Sequence, residues 1–194
     1  MGKHVTIIQG HPDSHTRHFG HALAEAYARG AEQAGHEVRH IPVAELDFPV
    51  LRTKEDWENG APSDCIRKSQ EMIRWADHLV IIYPLWMGFM PALFKGFLEQ
   101  TFRPGFALGA AAPGKMHKRL LTGKSARVVV TMGMPALVYR WYFRAHSLKG
   151  LERNILSFAG IKPVKTSVIG GVEEPGADHQ KWLNELAELG RACD

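Results

Sequence analysis

Leu79-Val80-Ile81-Ile82-Tyr83 is the segment that most restricts how this chain can fold. Five consecutive apolar residues, three of them β-branched, leave no polar face. Such a strand must be covered on both sides, which calls for a parallel sheet with helices above and below it. Pro84 closes the run, because it lacks an amide donor and fixes its own backbone angle. Leu85, Trp86, Met87, Gly88, Phe89 and Met90 follow without a single charge, and Pro91 suits the first turn of a helix. A loop this apolar is costly at a surface unless something flat covers it. It sits past the carboxyl end of a strand, where open α/β sheets bind ligands, and so points to a planar aromatic cofactor.

Strand-like and helix-like segments alternate along the chain. His4 to Gln9, Glu37 to Ile41, Leu79 to Tyr83, Ala126 to Thr131 and Val164 to Ile169 read as strands. Between them, Phe19 to Ala34 carries Phe19, Leu23, Ala26, Tyr27 and Ala31 on one face, and Gly35 stops it. Ser63 or Asp64 can cap a helix carrying Ile66, Met72, Ile73 and Trp75. A polar stretch with Pro42, Pro49, Gly60 and Pro62 precedes that helix. Tyr139 to Phe158 reads as helix broken near Ser147, and Asp178 to Ala192 as a last helix. Five strands separated by helices predict a single α/β domain, residues 1–194, built on a doubly wound five-stranded parallel sheet.

Composition narrows the partners. Lys and Arg total 24 against 20 Asp and Glu, a mild excess of +4. The densest basic stretch, Lys115, Lys118, Arg119, Lys124 and Arg127, has no interleaved aromatics, so no nucleic-acid partner is expected. Cys65 and Cys193 are too far apart to form a metal motif and suit a reducing compartment. No secretory signal is visible at the N-terminus. Met1-Gly2-Lys3 fits a loose myristoylation pattern but reads more simply as the lead into the first strand. The longest uncharged run, Leu79 to Phe94, is shorter than the ~20 residues that cross a bilayer, and two prolines interrupt it. No stable membrane insertion is expected, and a cytoplasmic location is.

Three strand ends carry unusual residues: Gly10 to Phe19, Pro84 to Phe89, and Thr131 to Tyr139. In a parallel sheet these lie along one edge and can surround one ligand. The first leads into a helix N-terminus, a natural seat for phosphate, to which His11, His15, Thr16, Arg17 and His18 add donors. His15, His18 and His21, spaced three apart, could instead chelate a metal, or these residues could simply be solvated. No carboxylate or cysteine completes the metal set in the sequence spacing, and no metal is expected. A dinucleotide fingerprint is absent after the first strand. Gly109 to Lys115 and Lys118 to Ser125 are near-misses to a nucleotide P-loop: Met116 replaces the required hydroxyl in one, and Lys118 the first glycine in the other. The third loop offers Gly133, Tyr139 and His146. Tyr139 and His146 can donate hydrogen bonds to a developing anion, or can sit on an amphipathic helix where Val138, Trp141 and Tyr142 pack inward.

At these residues the chain resembles the flavodoxin-like NAD(P)H:quinone oxidoreductases, the family of DT-diaphorase and the small bacterial quinone reductases. The resemblance runs through Gly10-His11-Pro12, Phe19 to Leu23, Tyr83-Pro84-Leu85-Trp86, Pro91-Ala92, Lys95-Gly96 and Glu99. Phe102 to Ala107, Thr131 to Gly133, Tyr139, His146 and Phe158 to Ile161 extend it. It implies a flavodoxin-like fold and a bound flavin, FMN or FAD. The flavin phosphate would lie against His11, Thr16, Arg17, His18 and Phe19. The ring would lie against Pro84, Leu85, Trp86, Met87 and Gly88, and against Thr131, Met132, Gly133 and Met134. It further implies that NAD(P)H delivers hydride and leaves, that a quinone-like acceptor then takes both electrons, and that Tyr139 and His146 stabilise charge on the reduced ring. Nitro- or azo-aromatic acceptors, and a homodimer with sites at its interface, belong to the same implication.

The chain departs from the family in three places. His18 stands where a Ser usually precedes Phe19, in a slightly longer loop. Thr131-Met132-Gly133-Met134 replaces a Thr-Thr-Gly-Gly pattern. Leu108, Gly109 and Ala110 stand where larger relatives place aromatics over the partner's site, which widens the expected acceptor pocket. The spacing from Tyr139 to His146 is also one residue long. Two other roles known among relatives are a flavin-binding regulatory subunit of a membrane transport system and a one-electron flavodoxin-type carrier. The mild positive charge speaks against the carrier.

Overall fold

The computed structural model describes residues 2–109 and 117–194. Met1, Ala110 and the near-match to a P-loop beyond Gly109 lie outside the described residues. Five strands form one all-parallel sheet: β1 (His4–Gln9), β2 (Glu37–Pro42), β3 (His78–Pro84), β4 (Ser125–Thr131) and β5 (Val164–Ile169), in the order β2-β1-β3-β4-β5. The helices are α1 (Phe19–Gln33), α2 (Lys54–Glu58), α3 (Asp64–Trp75), α4 (Ala92–Thr101), α5 (Ala136–Trp141), α6 (His146–Gly150), α7 (Ser157–Ala159) and α8 (His179–Ala192). A 3₁₀ turn (Val43–Glu45) follows β2, and a π-helical turn (Leu151–Leu156) joins α6 to α7.

The apolar run Leu79 to Tyr83 lies in the central strand, β3. Its side chains alternate between two cores, as strand geometry requires. Leu79, Ile81 and Tyr83 join Ile8, Val128 and Val130 beneath α3, α4 and the α5–α7 region. Val80 and Ile82 join Val5, Ile7 and Val129 beneath α1 and α8. Pro84 is the last residue of β3, opposite Thr131, and the Leu85 amide makes the next bond, to the Thr131 carbonyl at 2.8 Å. Because β1, β3 and β4 are in register, Gln9, Pro84 and Thr131 bring their loops to one edge of the sheet.

Helices α1 and α8 meet closely enough to exclude side chains at the crossing. A methyl group on Gly30 would lie 1.9 Å from the Ala187 carbonyl oxygen, and one on Gly190 would lie 2.2 Å from that of Tyr27. Glycine is required at both points for space, not for backbone freedom.

Three local expectations are corrected. The polar stretch after β2 contains α2, capped by the Thr53 hydroxyl accepting from the Asp56 amide. Ser63 occupies the cap position of α3, but its hydroxyl sits 3.3 Å from the Cys65 sulfur and caps nothing. The break expected near Ser147 falls at Tyr142 to Ala145, where Arg144 and Ala145 take left-handed φ values of 52° and 49°. Among the described residues, no helix is long and apolar enough to cross a membrane.

His78, 2% exposed at the start of β3, pairs through Nδ1 with Ser125 at 2.7 Å, while its Nε2 has no partner among the described residues. Burial, and then the nearby Lys3 and Arg127, lower its pKa to about 4. Between pH 6.5 and 4 the unfolded chain therefore binds more protons at this residue than the folded chain. Stability is expected to fall on acidification through that window, by about 3 kcal/mol at most. Denaturation curves collected from pH 7 to 4 check this. The slope should flatten in His78→Gln, and an unchanged slope would contradict the assignment.

Candidate functional site

The site is built on the carboxyl edge of β1, β3 and β4, at the point where the chain order reverses across the sheet. After β1, the Gly10 amide bonds the Ile82 carbonyl at 2.7 Å, which holds the loop against β3. Gln9 then bridges inward, accepting from the His11 amide at 3.1 Å and donating to the Gly20 carbonyl at 2.9 Å. Asp13 organises the turn by accepting from the amides of His15 and Thr16 at 2.8 and 3.3 Å.

Three imidazoles collect at this turn. His11 stacks on His18 with ring centroids 3.9 Å apart, and His21 lies 5.3 Å from His11 and 5.9 Å from His18. His18 pairs with the Asp13 carboxylate at 2.8 Å, a partner that sequence spacing alone does not reveal. That hydrogen bond, reinforced by the His15 amide, drives Asp13 far below the usual carboxylate range. Burial, followed by the neighbouring imidazoles, lowers the pKa of His11, and burial followed by His18 does the same for His21. Arg17 is paired with Glu25. Phe19 stacks on His179 at 4.4 Å and ties the starts of α1 and α8 together. His15 is exposed. Among the described residues, no group of three or more His, Cys, Asp or Glu side chains is arranged to hold a metal.

The loop after β3 is a tight reversal. Trp86 and Phe89 exchange amide–carbonyl bonds at 2.8 and 2.9 Å, and Met87 and Gly88 both take positive φ, 50° and 79°. A non-glycine residue in that region is strained, and such strain gathers at ligand sites. The reversal leaves the Met87 side chain fully exposed and presents Trp86 and Phe89 to the surface, with Trp86 edge-on to His11 at 6.2 Å. Its own two bonds do not use the amides of Met87 and Gly88. Leu85 is half-buried beneath it.

Thr131 and Met132 are buried at the end of β4, and the loop is braced from β5. The Gly171 amide bonds the Met134 carbonyl at 3.1 Å, and the Val172 amide bonds that of Met132 at 3.2 Å. A methyl on Gly170 would lie 2.2 Å from the Ala136 amide. This fourth segment was not singled out from sequence; the Gly170-Gly171 pair directly after a strand was its visible sign. Gly133 faces Glu173, whose carboxylate is 3.4 Å from where a methyl would stand.

Tyr139 and His146 are not brought side by side. Tyr139 is 1% exposed; its hydroxyl is 2.7 Å from the Ser147 hydroxyl and accepts from the Leu148 amide at 3.2 Å. His146 is exposed. With Phe89, Met90, Leu98, Phe102 and Phe158 it lines an apolar cleft of about 480 Å³. Ser147 reaches the same cleft and links it to Tyr139. The expectation that Val138, Trp141 and Tyr142 pack inward fails: Trp141 and Tyr142 are each 80% exposed, and Val138 is partly so. In the six-residue α5 only Tyr139 is buried, so the remaining apolar positions face outward.

A donor-rich loop thus lies beside an exposed aromatic turn, a pairing that suits a ligand with a phosphate at one end and a flat ring at the other. Comparison with known proteins agrees with this architecture. An uncharacterized NAD(P)H oxidoreductase of Haemophilus influenzae is 30% identical over 186 residues, covering 93% of this chain and 90% of its own. The FMN-dependent NADH:quinone oxidoreductase 2 of Pseudomonas fluorescens is 28% identical over 150 residues, covering 74% of this chain and 72% of its own. The structure of an NAD(P)H:quinone oxidoreductase from Methanothermobacter marburgensis superposes with a TM-score of 0.83 over the whole of both chains, at 24% identity. A family model described as flavodoxin-like fold matches residues 3–191, and with the parallel β2-β1-β3-β4-β5 sheet beneath this site, the chain belongs to that flavodoxin-like family.

Proposed function

We propose that the chain is a flavin-dependent NAD(P)H:acceptor oxidoreductase acting on quinone-like compounds. The observation that carries this reading is the meeting of His11 and the Trp86–Phe89 turn at one sheet edge, with ring centroids of His11 and Trp86 6.2 Å apart. The names of the Haemophilus and Pseudomonas relatives support the donor and the acceptor class, and the second favours FMN. A bound flavin would supply a two-electron carrier between NAD(P)H and the acceptor.

The chain's own groups divide the work. His11, Thr16, Arg17, His18 and Phe19 would hold the phosphate end. Pro84 to Gly88 and Thr131 to Met134 would shape the ring site, with Trp86 and Phe89 excluding water. Tyr139 would meet developing negative charge. Its oxygen accepts from the Leu148 amide, and where Ser147 donates to it as well, its own proton has no acceptor among the described residues. His146, on the cleft wall, would lie near the acceptor. The free thiols of Cys65 and Cys193 suit the reducing cytoplasm. The test is quinone-dependent oxidation of NADH or NADPH by the flavin-loaded protein, one nicotinamide per quinone. Flavin-loaded protein that oxidises neither would contradict the reading.

The same surface supports a homodimer. Leu137, Trp141, Tyr142 and Phe143 are exposed in and just after α5, a few residues before His146 on the wall of the apolar cleft. Exposed apolar area of this kind marks an interface. Light scattering is expected to give a dimer. The double substitution Trp141→Ser with Tyr142→Ser should give monomer, and a monomeric wild type would refute the pairing.

A further inference from the structure

We propose that Trp57 sets acceptor size in the apolar cleft, held there by a buried clamp of Arg103 and Gln100. The cleft so closed takes uncharged quinones with more than one fused ring. This inference rests on the acceptor reading above and adds the residue that chooses among acceptors.

Apolar packing does little to hold α2. None of its residues is buried, and Trp57 is only half-buried. A five-residue helix does not persist on its own in water. What fixes it is polar and comes from the end of α4. Arg103, 4% exposed, donates through Nε to the Trp57 carbonyl at 3.2 Å and through one Nη to the Asp56 carbonyl. Both belong to the last turn of α2, whose carbonyls have no partner inside the helix. The other Nη donates to the Gln100 side-chain oxygen at 3.4 Å, and the Gln100 side-chain amide donates to the Pro49 carbonyl at 2.6 Å. The segment is thus fastened both ahead of α2 and at its end. Among the described residues the guanidinium meets no carboxylate, and carbonyl oxygens at a helix C-terminus, the negative end of the dipole, balance its charge. The chain leaves α2 pressed against this clamp. A methyl on Gly60 would lie 2.5 Å from the Asp56 carbonyl oxygen and 3.0 Å from an Arg103 nitrogen.

The clamp delivers an indole to the cleft. Trp57 lines the cavity of about 480 Å³ together with Leu98, Phe102, Leu108 and Phe158. That volume falls in the range of about 300–1,000 Å³ usual for small-molecule pockets, and exceeds what a single quinone ring fills. Leu98 and Phe102 come from the same end of α4 as Gln100 and Arg103, so that end turns apolar side chains to the cleft and polar ones to the clamp. Ser147 opens on the cleft and lies 2.7 Å from the Tyr139 hydroxyl, which joins the cleft to the residue assigned to the reduced ring. The cleft offers no free charge. Lys95 and Glu99 line it as an ion pair, and His146 is the one other titratable side chain among its described lining residues. An anionic acceptor would lose water there without finding a free ammonium or guanidinium. The oxygens of a neutral quinone have Ser147, Asn154 and His146 as donors.

The experiment compares kcat/KM for naphthoquinone and benzoquinone, using the flavin-loaded full chain and NADH or NADPH. The ratio of the two is the readout, so effects common to both acceptors cancel. In Trp57→Ala the ratio should fall about tenfold, mainly through the KM for naphthoquinone, and Trp57→Phe should retain most of it. Arg103→Met should lower the ratio with Trp57 still present. Gly60→Ala displaces the end of α2 by a second route, should Arg103→Met fail to unfold cooperatively in urea. Glu99→Gln frees Lys95 and should narrow the preference for naphthoquinone over its sulfonate. A wild-type ratio in Trp57→Ala would overturn the wall, and a wild-type ratio in folded Arg103→Met or in Gly60→Ala would overturn the clamp. An unchanged preference in Glu99→Gln would overturn the restriction to uncharged acceptors. Wild-type protein that reduces neither quinone would overturn the acceptor reading itself.

Discussion

Tyr139→Phe is expected to slow flavin reduction by NAD(P)H roughly 100-fold, the usual cost of losing one preorganised donor to developing negative charge. Flavin should stay bound, because the phosphate loop and the ring walls are untouched. The buried hydroxyl also accepts from the Leu148 amide, so its removal leaves that amide without a partner and costs about 1–3 kcal/mol of stability. Ser147→Ala separates the two roles. The Leu148 contact survives, but the Ser147 hydroxyl, which polarises the Tyr139 O–H when it donates to it, is gone, and an intermediate rate is expected. Stopped-flow reduction under anaerobic conditions reads both variants. Unchanged rates in Tyr139→Phe would remove Tyr139 from the chemistry and leave it a role in packing alone.

Gly30→Ala is expected to lower stability by about 3 kcal/mol, the upper end for overpacking a close contact. The added methyl would meet the Ala187 backbone oxygen at 1.9 Å, and no side-chain rotation relieves a clash with backbone. Helix α8 must move off α1, opening the core around Leu23, Tyr27 and Leu186. Gly96→Ala is the matched control. Its methyl would meet only the edge of Phe48 at 3.6 Å, and inside α4 alanine favours helix by about 1 kcal/mol. Urea denaturation should show the first variant destabilised and the second neutral or stabilised. Equal effects would contradict the crossing geometry.

The five strands were legible because each holds β-branched residues between turn or helical segments, as an unbroken apolar run in β3 and β4 and mixed with polar residues in β1, β2 and β5, and both ends of β1 and of β5 fell where the sequence placed them. The loops of the site were legible because Pro84, Pro91 and Pro135 punctuate them. What escaped lies in contacts between segments distant in sequence. Asp13 belongs with His18 only because the loop folds back on the first turn of α1. Ser147 serves Tyr139 only because the left-handed pair Arg144–Ala145 turns α6 back towards α5. The outward pose of Trp141 and Tyr142 was hidden for another reason. Apolar periodicity marks a face that seeks burial, and it reads the same whether the cover is the chain's own core or a second molecule. Arg17 read from the sequence as a donor for a ligand phosphate, whereas its pairing with Glu25 of α1 was not legible there.

The edge formed by the loops after β1, β3 and β4 is proposed to bind a flavin that NAD(P)H reduces. The direct measurement is the visible spectrum of the purified chain, reconstituted with FMN or FAD where it emerges flavin-free, before and after anaerobic addition of NADH or NADPH. A yellow protein whose absorption near 450 nm is lost on adding the nicotinamide, roughly one equivalent per flavin, is the predicted result. A chain that stays colourless after incubation with either flavin, or whose bound flavin neither nicotinamide bleaches, would contradict the account.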